Sequence, residues 1–88
     1  MKIWKFDLET TDVQTVAMPR GAEILAVQTQ RDKPKVWAIV DPGQQNEHRS
    51  FRIVGTGHEF IRDDLRYIGT YQLMEGSLVF HVFEQAKS

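Results

Sequence analysis

Apolar and polar residues alternate along most of this chain, while the three-to-four-residue spacing of a helix is nearly missing. A period of two places successive side chains on opposite faces of a strand, so the pattern commits the chain to sheet. The runs are short, and each is closed by residues that turn the backbone. Lys2 to Leu8 is the first, with Trp4, Phe6 and Leu8 on one face and Lys5 and Asp7 on the other. After Glu9-Thr10-Thr11-Asp12, a second strand from Val13 to Met18 stops at Pro19-Arg20-Gly21, where proline removes a ladder donor.

Glu23 to Gln30 and Lys35 to Asp41 form the next pair across Arg31-Asp32-Lys33-Pro34. The near-continuous run Val36-Trp37-Ala38-Ile39-Val40 implies a strand covered on both faces, or covered on one and functional on the other. Gln44 to His48 is read as an exposed loop, Arg49 to Val54 as a strand, and Glu59 to Leu65 as irregular with a single helical turn. Leu65 to Leu73 and Leu78 to Glu84, joined by a turn at Glu75-Gly76, read as a hairpin, and Gln85 to Ser88 as a tail. About seven strands of this kind predict an all-β fold, a small antiparallel sandwich or barrel, as one domain over residues 1–88.

With 88 residues the core is small, so self-association through strand edges is expected. Eleven basic against twelve acidic residues argue against a duplex nucleic-acid binder, which needs a basic surplus. The chain has no cysteine, which excludes disulfides and thiolate zinc sites and suits a reducing cytosol. The opening residues carry no long apolar stretch, so neither a signal peptide nor a membrane span is expected there.

Four features carry candidate chemistry. In Gly55-Thr56-Gly57-His58, two glycines permit a sharp turn that can present N–H groups to an anion, with His58 beside it; the plainer reading is a bulge that redirects the chain. In Tyr67-Ile68-Gly69-Thr70-Tyr71, unbroken alternation puts Tyr67, Gly69 and Tyr71 on one face. A slot between the two rings would then accept a planar base, the alternative being tyrosines packed at the core edge. Trp37 faces away from Val36, Ala38 and Val40, as an interface or ligand residue would. Arg52 lies near the glycine turn and can hold a phosphate, although most strand arginines simply pair with acids across the sheet.

The histidines His48, His58 and His81 lie on separate segments without ligand spacing, so no metal site is expected, and His81 is read as a partly buried structural or interface residue. Ser50, Ser77 and the Asp63-Asp64 pair lack the neighbours that activate a nucleophile or an acid–base pair, so no catalytic residues and no cofactor are expected.

The stretches Phe51 to His58, Tyr67 to Gln72 and Leu78 to Glu84, together with Met1 to Phe6, resemble a family of small uncharacterised proteins of bacteriophages and prophages. That resemblance implies a phage accessory protein without implying an activity. A phage origin makes non-catalytic sequestration of a small nucleotide-derived signal of the host's defence the expected role. Trp37 and Tyr71 are expected to meet the base and Arg52 the phosphate, with Gly55, Thr56, Gly57, His58, Tyr67 and Thr70 completing the site. A protein-binding module that inhibits a host enzyme, or a virion-associated oligomer, is the alternative.

Overall fold

In the computed structural model, which describes residues 1–86, the chain forms seven strands in two antiparallel sheets. The strands are β1 (Lys2–Asp7), β2 (Val13–Pro19), β3 (Glu23–Gln30), β4 (Lys33–Val40), β5 (Asn46–Gly55), β6 (Leu65–Leu73) and β7 (Leu78–Gln85). One sheet runs β1-β4-β3 and the other β2-β5-β7-β6. Of the expected sandwich or barrel, the arrangement is that of a sandwich. Residues 87 and 88, in the stretch read as a tail, lie outside the described residues, whereas Gln85 completes β7 and the Ala86 amide donates to Asp64.

The core lies where the two inner faces meet. Val36, Ala38 and Val40 of β4 face Phe51 and Ile53 of β5 and Val82 of β7, and Leu8, Met18, Ala22, Val27 and Tyr71 fill the remaining space. The sheets come closest along β3 and β6. Gly69 permits this, because a methyl group there would come within 3.2 Å of the Val27 Cβ. On the opposite side the sheets are less tightly closed, and Trp4, on the inner-facing side of β1, remains 38% exposed.

Two local expectations are corrected. Asn46-Glu47-His48 is not loop but the start of β5, paired with Pro19, Met18 and Ala17 of β2. Its polarity reflects the charged end of the sandwich, where Glu47 and Arg49 replace apolar inner residues. Glu59 to Leu65 contains no helical turn; the segment lies over the outer face of the second sheet before Leu65 begins β6. Val54 lies on the face opposite Ile53, as alternation requires, and is buried there with Leu65 and Phe83 in a second small apolar cluster.

The β3–β4 link is a two-residue turn with positive φ at both Arg31 (53°) and Asp32 (65°), the backbone that suits the twist of a hairpin. Lys35 donates to Asp7 across β1 and β4 at 2.5 Å, and this bond holds the exposed Asp7 carboxyl below the usual carboxylate range. Among the described residues no helix is long and apolar enough to cross a membrane.

Candidate binding site on the outer face of the second sheet

The β5–β6 connection begins with a tight turn. His58 N–H donates to Gly55 at 3.1 Å and Gly57 takes φ of +89°, the pattern of a type II turn with glycine at its third position. The turn folds the His58 imidazole back over Gly55, where a Cβ would meet the ring at 3.1 Å. Phe60 then packs on Phe83 with ring centroids 5.4 Å apart and planes tilted by 36°. Tyr67 meets the same ring edge-on at 5.7 Å, and the Arg62 guanidinium stands 5.8 Å from its centroid.

Phe60, Tyr67 and Phe83 line an open cavity of about 280 Å³. Its rim is Gly55 to His58, and His81 closes one side. The turn thus meets Tyr67 in space, as the sequence suggested. It does not present the expected row of amides to an anion, however. Thr56 N–H donates to Val79 and His58 N–H to Gly55, so both are consumed within the fold.

His81 is the centre of a chain of hydroxyls. Its Nε2 lies 2.7 Å from Thr56 Oγ1 and its Nδ1 3.0 Å from Thr70 Oγ1, and Thr70 Oγ1 lies 2.5 Å from the Tyr67 hydroxyl. Thr56 Oγ1 also reaches the Val79 carbonyl at 3.3 Å. Each hydroxyl has one proton, and a neutral imidazole has one donor and one acceptor. If Thr56 donates to Val79, it accepts from Nε2–H, and the remaining protons run inward from Tyr67 through Thr70 to Nδ1. If Thr56 donates to Nε2, its bond to Val79 is given up, the bonds from Nδ1 through Thr70 reverse, and the Tyr67 O–H points outward. Both orders satisfy every member, and they differ at the open end, where Tyr67 is 51% exposed.

Other predicted residues lie elsewhere. Tyr71 is only 3% exposed, packs on Phe80 and bonds to the Thr10 hydroxyl at 2.8 Å. Burial raises its pKa, and the Thr10 bond offsets part of that rise. The slot expected between Tyr67 and Tyr71 is not formed. An irregularity between Tyr67 and Gly69 inserts Ile68, so Tyr67 pairs with Phe83 on the outer face while Gly69 and Tyr71 turn to the core. Trp37 pairs with Lys5 and Ala26 on the outer face of the first sheet, which points away from the cavity. Arg52 lies on the cavity's side of the second sheet, opposite Phe83, with Nε donating to the Asp12 carbonyl at 3.3 Å.

Phe60, Phe83 and His81 complete the site without having been assigned to it from the sequence. The readable signal was Leu78-Val79-Phe80-His81-Val82-Phe83, apolar on both faces, which requires cover on both.

Two larger cavities, of about 690 and 480 Å³, flank the charged end of the sandwich. Their central side chains already satisfy one another. Glu84, 8% exposed, accepts from Arg49 Nε and Nη2 and from Arg66 Nη2, and Arg49 Nη1 donates to the Ala22 carbonyl at 2.9 Å. The Glu84 bond raises the Arg49 pKa further. Glu47 accepts from the Gly21 amide at 3.0 Å and lies 3.7 Å from Arg49. Such a network leaves little for a ligand, so the smaller aromatic cavity is the stronger candidate.

No curated protein and no solved structure matches the chain. A family model described as a domain of unknown function (DUF7352) matches residues 1–88 from end to end, and the chain belongs to that family.

Proposed function

We propose that the domain is a non-catalytic binding protein for a small nucleotide-like ligand. The base sits between Phe60 and Tyr67, and its phosphate is drawn to Arg52 and Arg62. The observation carrying this reading is the convergence of three aromatic rings, two imidazoles and the open end of a hydroxyl chain on one cavity. At about 280 Å³ the cavity lies just below the range of about 300–1,000 Å³ common for small-molecule sites. It therefore suits one ring system, with the charged part of the ligand outside.

Stacking on an aromatic side chain contributes about 1–3 kcal/mol per base. A hydrogen bond to Tyr67 adds about 0.5–1.5 kcal/mol, and the arginines supply charge-assisted bonds to phosphate. Under the resemblance to phage accessory proteins, the ligand is a nucleotide-derived defence signal and the role is sequestration in the host cytosol.

Native mass spectrometry of the protein purified from cells, followed by denaturing release, tests the reading. A stoichiometric nucleotide-like mass is expected. Titration with nucleotides should then lose affinity about 5- to 150-fold in Tyr67→Ala, the equivalent of one lost stack, and further in the Arg52→Ala/Arg62→Ala pair. Affinity unchanged in all of these variants would sink the proposal.

A second reading, a module that inhibits a host enzyme, is favoured by Ile3, Trp37 and Ile39 lying side by side on the outer face of the first sheet. A complex with a host protein that survives Tyr67→Ala but is lost in Trp37→Ala would support it.

A further inference from the structure

The strands at the margins of the two sheets do not guard their edges alike. β3 and β6 are each interrupted by a register irregularity, at Leu25 and Ile68, and a bulged margin pairs poorly with another chain. β1 carries Lys2, Lys5 and Asp7, and charge along a margin discourages pairing with another chain. β2, Val-Gln-Thr-Val-Ala-Met-Pro, has no charged residue and no bulge, and its proline is its last residue.

The direction of its backbone groups follows from the register. Ile53 N–H donates to Asp12 and Arg20 N–H to Gln45, in the same register as Val13↔Arg52. Even-numbered residues of β2 therefore bond to β5, and the N–H and C=O groups of Val13, Thr15 and Ala17 point away from the sheet. A long 3.4 Å contact from the Thr11 hydroxyl to the Val13 carbonyl touches this margin. The side chains of Val13, Thr15 and Ala17 are exposed.

We infer that β2 pairs antiparallel with β2 of a second copy of this chain, about a two-fold axis at Thr15. In that register Thr15 faces the second copy's Thr15, and Val13 faces its Ala17. Every outward-pointing residue then meets one that also points outward, and no charge meets its like. Moving the axis to Val16 would place Val13 opposite Pro19, which has no N–H and whose carbonyl already accepts from Ala22.

The row across the seam on the outer face becomes Ser50, Thr15, Thr15 and Ser50, because Thr15 pairs with Ser50 within each chain. Facing threonines are favourable cross-strand partners. The axis stands perpendicular to the doubled sheet, so the two aromatic cavities open on the same side of the dimer. A second copy is the occupant argued for because the margin complements itself in both register and charge, and because an 88-residue core gains from association.

Sedimentation equilibrium of the full chain should give a dimer, while Thr15→Pro and Thr15→Lys should give monomers with unchanged near-ultraviolet dichroism. The proline removes only an N–H that the fold does not use. The lysine sets two like charges face to face and keeps the test valid if the proline variant does not fold.

Since the chain has no cysteine, Thr15→Cys should form a disulfide only with itself across the axis. Ala17→Cys should not, because its two copies would lie about 14 Å apart along the seam. A monomer up to the solubility limit, a dimer indifferent to both Thr15→Pro and Thr15→Lys, or equal cross-linking at positions 15 and 17 would overturn the inference.

Discussion

Glu84 and His81 stand three residues apart on β7, on opposite faces, and each is the centre of a polar network. Around Glu84 the network is ionic and its members pair with one another, with Arg66 the exposed outer member. Two arginines donate to the carboxylate, and Arg49 also donates to a backbone carbonyl and lies 3.7 Å from Glu47. Around His81 it is built from hydroxyls, half-buried and open, ending at a tyrosine hydroxyl in solvent. A closed network stabilises or seals; an open one has a valence left to offer. The difference assigns the first to architecture and the second to recognition, although the first lies beside the larger cavities.

Four substitutions can break or sharpen that contrast. Glu84→Ala should be the most damaging, because it leaves the Arg49 cation buried without its partner. A loss of about 3–5 kcal/mol is expected, a large part of what a domain of this size has, and a marked fall of the urea midpoint would show it. Thr70→Val keeps the shape but strips His81 Nδ1 of its partner. It should cost about 1 kcal/mol in the same assay and also weaken ligand binding.

Arg66→Ala removes the outer member of the closed network. That side chain is 69% exposed, so the loss should stay below about 1 kcal/mol, with binding untouched. Tyr67→Phe should leave stability within about 0.5 kcal/mol of the parent. It should still reduce nucleotide affinity by up to about tenfold in a calorimetric titration, the worth of one hydrogen bond. If Glu84→Ala were mild while Tyr67→Phe unfolded the domain, the assignment of the two networks would be reversed.

The sandwich was legible because its strands alternate and its turns are marked by Pro19, Gly21, Asp32 and Gly76. What escaped did so for local physical reasons. Alternation assumes an unbroken register, and the inserted Ile68 separates Tyr67 from Tyr71 by the thickness of the sheet. The first residues of β5 are polar because they build the charged end, and polarity alone reads as loop. Phe60 lies in a segment without periodicity, and only Phe83 and Val54 opposite it reveal that the outer face needed a cover. Half of the candidate site was therefore readable as a turn and a tyrosine. The rest depended on which strands became neighbours.

The close approach of Gly69 to Val27 makes the domain something like a bound book, with β3 and β6 as its spine and β1 and β2 as its fore-edge. Thermal opening of such an object runs from the fore-edge inward, so amides of β1 should exchange with solvent before those of β3. The chain carries its own gauge of that motion. Trp4 faces inward at the fore-edge, whereas Trp37 faces out from the middle of its page. The fluorescence of Trp4 should therefore report the leaves parting well before that of Trp37 reports the binding giving way.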